Sequence, residues 1–198
     1  MGIKFRRNDP KALEIILWFT NKEPGMDVYR ICKLTFLADI WHLNTYGRPL
    51  TGDNYVAMKY GPVPTAAYNI LRRKNNKLKH LGVSEFPFVV EKKARATQVF
   101  PAREPDLDAF SKSDVKALEH SFEKYAHLSF EALRAMTHEH PAYRNAWDRR
   151  GEKQASDMDY RDFSSKNCRT KTSKSSRFSP STAASEKQCT ASGTSSGI

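Results

Sequence analysis

The stretch DVYRICKLTFLADIWHLNTYG, residues 27–47, decides the fold. Asp27 is a favourable N-cap, so the segment predicts a long helix that runs to about Tyr46. Apolar side chains recur along it at helical spacing and form a stripe of Ile31, Leu34, Ala38 and Trp41, which is widened by Tyr29, Phe36, Leu37 and Ile40. A stripe of this width predicts burial on more than one side, and therefore the central helix of the domain.

The flanking segments predict shorter elements. A helix from about Pro10 to Lys22 precedes the central one, with Asp9 as its cap and Pro10 in its first turn. After Gly47, prolines and glycines in RPLTGDNYVAMKYGPVP indicate a structured loop with one extended piece, Tyr55–Tyr60. Pro64 can then begin a third helix that reaches Leu71.

A β-hairpin and three helices complete the predicted domain. The β-prone runs 86–92 and 98–102, joined by a charged connection, predict the hairpin. Ser111 with Asp114 resembles a capping box, Ser129 can cap the next helix, and Pro141 can begin the last. These elements predict a mainly helical α+β fold, a compact helical domain with an inserted β-hairpin.

Composition divides the chain into a domain, residues 1–160, and a tail, residues 161–198. Ser and Thr make up almost half of the residues after Ser164, a composition that predicts disorder. The formal charge is +11, and because six of the 33 basic residues and one of the 22 acidic residues lie in 164–198, that segment carries +5 and the rest carries +6. The domain is therefore only moderately basic.

Neither a signal-peptide pattern nor a long apolar run stands out, so we expect a soluble cytoplasmic protein without a membrane partner. Three widely spaced cysteines, Cys32, Cys168 and Cys189, fit neither a disulfide framework nor a four-ligand zinc site.

The central segment, residues 33–71, resembles the SocA-like antitoxin family, also called the Panacea domain. The resemblance rests on the A-D-x-x-H-L-x-x-Y-G-R-P-L-T-G-D run at 38–53 and on Y-V-A-M-K-Y-G-P-V-P at 55–64. THEHPAYRNAW, residues 137–147, is similar to the C-terminal helical end of that family. The likeness covers most of residues 10–150.

The resemblance implies an antitoxin that binds a co-encoded toxin and blocks its active surface, without cofactor or metal. Family members are paired with toxins of unrelated kinds, some occur in prophages, and at least one relative is an adaptor that hands its toxin to a protease. We therefore expect a protein toxin as partner, with a cytoplasmic protease as partner in the alternative.

The candidate partner-binding residues lie on or beside the mid-chain loop: Asp39, His42, Tyr46, Arg48, Asp53 and Tyr60. Arg48 and Asp53 can pair with each other or cap backbone amides, or they can form a rigid rim for the partner. Asp39 and His42, three apart on a helix, are a candidate acid–base pair, but no nucleophile accompanies them. His138 and His140 point in different directions on a helix, so we predict no metal site. Because no nucleophile is evident, we also predict no catalytic residue.

A second function class is nucleic-acid binding. Basic residues cluster at the end of the third predicted helix: Arg72, Arg73, Lys74, Lys77 and Lys79. Lys92, Lys93 and Arg95 lie at the hairpin tip, in an arrangement similar to a winged helix with a basic wing. These charges suit a regulator that binds its own promoter, and they equally suit solubility or attraction to an acidic toxin.

Overall fold

A computed structural model describes residues 3–73, 78–94 and 96–164. Over these ranges the helices are α1 (Asp9–Lys22), α2 (Val28–Tyr46), α3 (Thr65–Leu71), α4 (Leu78–Leu81), α5 (Lys112–Tyr125), α6 (Phe130–Glu139) and α7 (Pro141–Arg149). The strands are β1 (Met26–Asp27), β2 (Tyr55–Met58), β3 (Gly61–Pro64), β4 (Phe88–Lys92), β5 (Thr97–Pro101) and β6 (Ala155–Asp157), with 3-10 turns at Leu107–Ala109 and Tyr160–Phe163. The predicted mainly helical α+β fold is confirmed.

Helix α2 is the centre of the domain, as its wide apolar stripe predicted. The Asp27 side chain caps it by accepting a hydrogen bond from the Arg30 amide at 2.8 Å. Ile31 and Leu34 belong to one core with residues of α1, α3 and α5. Phe36 and Leu37 belong to a second core, built with α6, α7 and the Tyr160–Phe163 turn. Burial on both sides fixes α2 in place and makes four of its polar residues internal: Lys33, Thr35, Asp39 and His42.

The first sheet contains the predicted hairpin. Strands β4 and β5 pair antiparallel with Val90 opposite Val99, and β1 adds to β5 through Met26 opposite Val99. The sheet packs against α1, whose residues Ala12 to Thr20 are all buried. The two-residue strand β1 was not predicted, because its conformation depends on pairing with a distant segment.

The second sheet was also not predicted. The extended piece expected over 55–60 ends at Met58, and β2 turns back to pair with β3, with Val56 opposite Val63. Strand β6 joins the other edge of β2, with Ala57 opposite Ser156. The Tyr143 hydroxyl of α7 donates a hydrogen bond to the Met58 carbonyl at 2.9 Å, which ties this sheet to the C-terminal helices.

Most of the helix caps that were predicted from the sequence are present in the structure. Ser111 and Asp114 form the predicted capping box at the start of α5, and the Ser129 side chain caps α6. At α1 the cap is Asn8, not Asp9: the Asn8 side chain accepts a hydrogen bond from the Lys11 amide at 3.0 Å. Asp9 instead begins the helix and forms an ion pair with Arg7.

The boundary predicted at residue 160 lies inside a structured turn. Tyr160 and Phe163 are buried, and the Phe163 ring lies 5.5 Å from the ring of Phe36 on α2. The folded domain therefore continues at least through Phe163, because this side chain completes the second core. Residues 165–198, which hold the rest of the predicted tail, lie outside the described residues.

Candidate functional site

Asp39 lies inside the domain and fixes the mid-chain loop. Its carboxylate accepts hydrogen bonds from the Leu50 amide at 2.5 Å and from the Tyr55 hydroxyl at 2.6 Å. Burial raises the pKa of Asp39 to about 6, although these two donors oppose the rise. The side chain is fully buried, so its role in this structure is to hold the path of the loop.

Asp53 has a similar internal role at the other end of the loop. Its carboxylate accepts hydrogen bonds from the amides of Ala66 and Ala67 and from the Thr65 hydroxyl. It therefore satisfies the free amides at the start of α3. The residue at the N-cap position, Pro64, has no side-chain acceptor that could do so. Burial raises the pKa of Asp53, against the effect of these amide donors. Asp53 caps backbone amides as one alternative expected, but it does not pair with Arg48.

Arg48 and His42 instead converge on Asp114, which lies in the first turn of α5. His42 donates from Nδ1 to the Arg48 carbonyl at 2.7 Å, and its Nε2 lies 3.2 Å from Asp114 Oδ1. Arg48 Nη2 lies 3.1 Å from the same oxygen, and Lys11 Nζ lies 2.5 Å from Oδ2. Burial by itself would raise the pKa of Asp114, but hydrogen bonds from His42 and Lys11 outweigh it and hold the pKa well below its usual range.

The candidate Asp39–His42 acid–base pair is not formed, because each side chain hydrogen-bonds to other partners. His42 is fully buried, whereas Arg48 is partly exposed and Tyr46 is 43% exposed. Of the sequence candidates around the end of α2, Tyr46 and Arg48 thus present side-chain surface and His42 does not.

Tyr60 lies on a different surface. It stands in the turn between β2 and β3, near the beginning of α2, and its ring lies 6.2 Å from that of Phe130. Tyr46 is at the other end of α2, about 25 Å along the helix at 1.5 Å per residue. The structure therefore divides the six sequence candidates: three internal residues, an exposed pair at the end of α2, and Tyr60.

Tyr60 borders a large groove, which we call the aromatic groove after its rings Tyr29, Tyr60, Phe130 and Trp147. It lies between the start of α2, the β2–β3 turn, the start of α6 and the segment after α7. Its volume is about 1420 Å³, which exceeds the several hundred Å³ of common small-molecule sites and suits a peptide segment. Tyr60 is 51% exposed and Phe130 is 41% exposed, so two large rings face solvent at its edge.

Lys33 lies in the wall of the aromatic groove and was missed at the sequence level. It is only 1% exposed, its Nζ donates to the Pro62 carbonyl at 2.8 Å, and it lies 4.5 Å from the centre of the Tyr29 ring. Burial lowers the pKa of Lys33 to about 8. The sequence could have predicted the burial of Lys33, because this lysine stands between apolar residues of a helix that was expected to be buried on more than one side.

Gly61 is the residue that lets Lys33 reach Pro62. Its φ is +107°, and a Cβ added there would lie 2.9 Å from Lys33 Cε and 3.1 Å from Thr137 Oγ1. A side chain at this position would displace the lysine. The turn and the buried ammonium therefore depend on each other.

The predicted basic cluster is described only in part. Arg72 and Arg73 follow α3, where Arg72 lies over the ring of Tyr68 and Arg73 over that of Phe86. Lys79 is exposed on α4, and Lys74 and Lys77 lie outside the described residues. At the hairpin tip Lys93 forms an ion pair with Glu91 at 2.8 Å, and Arg95 also lies outside the described residues.

His138 and His140 have separate contacts. His140 Nδ1 accepts the Ala142 amide and caps α7, whereas the His138 ring stacks on Tyr143. Within the described ranges, no group of three or more His, Cys, Asp or Glu side chains is placed to hold a metal ion. In the same ranges no helix has the length and hydropathy needed to cross a bilayer.

The fold and these surfaces define a small, mainly helical α+β domain with a large aromatic groove. The sequence pattern of the antitoxin SocA-like Panacea domain matches residues 31–148, from α2 to α7 and more than half of the chain. The chain belongs to this antitoxin family. The curated proteins and the solved structures compared with it give no match.

Proposed function

We propose that this chain is a cytoplasmic antitoxin that neutralises a co-encoded protein toxin by binding it stoichiometrically. The toxin docks in the aromatic groove, through an interface of roughly 1,200–2,000 Å² in total. The protein acts by affinity, so no bond-making residue, cofactor or metal is involved. The observation that carries the choice of surface is the pair of exposed rings, Tyr60 and Phe130, at the edge of a groove in a member of an antitoxin family.

Exposed aromatic rings beside a concave surface are typical of binding hot spots. Tyrosine and phenylalanine bury a large area with little loss of side-chain entropy, and a few such residues carry most of the binding energy in many interfaces. Tyr60 and Phe130 are held by contacts to each other, to Arg134 and to Tyr29. Because these contacts exist before binding, the toxin would meet a preformed surface.

The other sequence candidates support this role indirectly. Asp39 and Asp53 hold the loop that leads into β2 and α3, so they determine where the β2–β3 turn and Tyr60 stand. His42 joins the loop to α5 through Asp114. Tyr46 and Arg48 form a separate exposed patch at the end of α2, which we propose as a secondary contact.

The test is co-expression with the product of the neighbouring reading frame, followed by co-purification. The double variant Tyr60→Ala with Phe130→Ala should fail to rescue growth and should bind at least about tenfold more weakly, while its thermal unfolding stays close to wild type. Tyr46→Ala tests the patch at the end of α2, and Leu107→Ala is the matched control, because this side chain is 62% exposed and lies outside both surfaces. A neighbouring product that is harmless alone contradicts the antitoxin role. Loss of rescue by Tyr46→Ala with retention by the double variant contradicts the choice of surface.

Two further experiments distinguish neutralisation by occlusion from the two alternatives, a proteolysis adaptor and a DNA-binding regulator. Rescue by occlusion persists in cells that lack the cytoplasmic proteases, whereas an adaptor fails there because the toxin is no longer degraded. A regulator binds its promoter duplex with an affinity that falls steeply with salt, by a log–log slope of about −4.5 for five phosphate contacts. Occlusion predicts protease-independent rescue and no such promoter binding.

A further inference from the structure

Among the described residues, Lys33 is a buried cation without a counter-ion. In the described part of the chain its ammonium contacts the Pro62 carbonyl and the face of the Tyr29 ring, and no carboxylate forms an ion pair with it. An ammonium has three N–H donors, so the carbonyl leaves donors to spare. A charge removed from water without an ionic partner is costly, which calls for an explanation beyond the support of one turn.

Tyr29 adds a second polar group without a partner to the same wall of the groove. Its hydroxyl is shielded from solvent and has no hydrogen-bond partner among the described residues. Lys33 and Tyr29 are one helical turn apart on α2, and both line the aromatic groove. The wall therefore offers an ammonium and a phenol O–H, two donors that a carboxylate accepts together.

The charges around this wall also favour an anion. Burial raises the pKa of Tyr29 to about 12, Asp27 and Glu131 add to the rise, and Arg134 of α6 opposes it. Burial lowers the pKa of His138, and the positive charges of Arg134 and Lys33 lower it further. The groove is bordered by the basic residues Lys59, Lys93, Arg150 and Lys153 and by the acidic residues Asp27 and Glu131. Asp27 is already engaged with Arg30, and Glu131 is exposed at the rim, so neither neutralises Lys33.

We propose that Lys33 and Tyr29 bind the side-chain carboxylate of an Asp or Glu of the toxin, carried on a segment whose apolar neighbours pack against Tyr60 and Phe130. This inference rests on the proposed antitoxin function and identifies the chemistry that the partner must bring. The carboxylate supplies the missing counter-ion of Lys33, and the aromatic rings exclude water from the pair. The protein thereby selects toxins that present an acidic residue in an apolar segment.

A purely structural Lys33 would only hold the β2–β3 turn through Pro62. The two roles differ in a measurable way, since a turn support affects folding whereas a counter-ion site affects binding. Lys33→Met retains a flexible apolar side chain that is one heavy atom shorter, and it removes the charge. Tyr29→Phe retains the ring, with its contacts to Phe130, and removes only the hydroxyl.

The experiment is calorimetric titration of the full chain with the product of the neighbouring reading frame at neutral pH. Lys33→Met should weaken binding by at least about tenfold, because a buried charge in the complex is left without its partner. Tyr29→Phe should weaken it by a few-fold, and Lys116→Met, which removes an exposed lysine of α5 outside the groove, should stay within about twofold of wild type. A set of Asp→Asn and Glu→Gln variants of the toxin should contain one that weakens binding to wild type but not to Lys33→Met.

Binding of Lys33→Met within twofold of wild type overturns the inference, and so does the absence of any coupled acidic residue in the toxin. If Lys33→Met does not fold, Tyr29→Phe and its coupling to the same toxin variants decide the question. Failure of the wild-type chain to bind the neighbouring product refutes the proposed function itself. The two failures are thus distinguishable.

Discussion

Replacement of Lys33 by methionine should stabilise the unbound protein and remove a pH dependence from its unfolding. Burial lowers the pKa of Lys33 to about 8, against about 10.4 in an unfolded chain. The unfolded state therefore binds this proton more tightly, so the destabilising contribution is fully present below pH 8 and is lost as the pH rises towards 10.4. At 1.36 kcal/mol per pKa unit, the ammonium costs about 3 kcal/mol at pH 7.

In the variant, removal of the buried ammonium raises the free energy of unfolding, but the loss of two contacts offsets part of this increase. Lys33→Met leaves the Pro62 carbonyl without its donor and removes the contact with the face of Tyr29, which together cost about 1–2 kcal/mol. We therefore expect a net increase of about 1–2 kcal/mol in the free energy of unfolding at pH 7. Between pH 7 and pH 9 wild type should regain roughly 1 kcal/mol relative to the variant.

The assay is urea unfolding of both proteins at pH 7 and pH 9, with Lys59→Met as the exposed-lysine control. The difference between wild type and variant isolates Lys33 from Cys32 and the buried tyrosines, whose pKa values burial raises in both proteins. A variant less stable than wild type by more than about 1 kcal/mol, or a difference that stays constant from pH 7 to pH 9, would refute this account of Lys33.

Three other perturbations follow from the same contacts. Asp53→Ala removes the acceptor of the first amides of α3 and should lower the free energy of unfolding by about 2 kcal/mol, as measured with urea; a loss below about 0.5 kcal/mol contradicts the capping role. Gly61→Ala places a Cβ against Lys33 at a positive φ and should cost about 2–4 kcal/mol, so an unchanged melting temperature would be inconsistent with the turn geometry. Burial lowers the pKa of His140 to about 4, so its stabilising contribution is complete above pH 6.5 and is lost as the pH falls through 4. His140→Asn keeps an N-cap acceptor and should remove roughly 3 kcal/mol of that acid sensitivity, and an acid-unfolding curve that does not change would count against the capping nitrogen.

Most of the helical framework could be predicted because its signals are local. Asp27, Ser111 and Ser129 cap the helices that they were expected to cap, since a short polar side chain next to free amides needs no tertiary partner. The second sheet depends on contacts between distant segments. Strand β6 has three residues and is defined by its pairing with β2, so its sequence carries no periodic signal.

Of the six candidate partner-binding residues, Tyr60 alone borders the aromatic groove. Asp39, His42 and Asp53 were selected as polar residues of the central helix and the loop, and sequence patterns do not distinguish an exposed carboxylate from one whose donors come from another element. Lys33 was overlooked for the opposite reason, because lysine is usually exposed and its burial here depends on the β2–β3 turn. Phe130 was missed because the first position of a helix does not show which way its ring faces.

The central proposal is that this chain neutralises a protein toxin by binding it stoichiometrically. The most direct measurement is the activity of the purified neighbouring gene product during titration with the full chain. Stoichiometric binding predicts a linear loss of toxin activity that ends at a fixed molar ratio and does not deepen with time. Continued loss at substoichiometric amounts, or full activity in the presence of an excess of the chain, would contradict it.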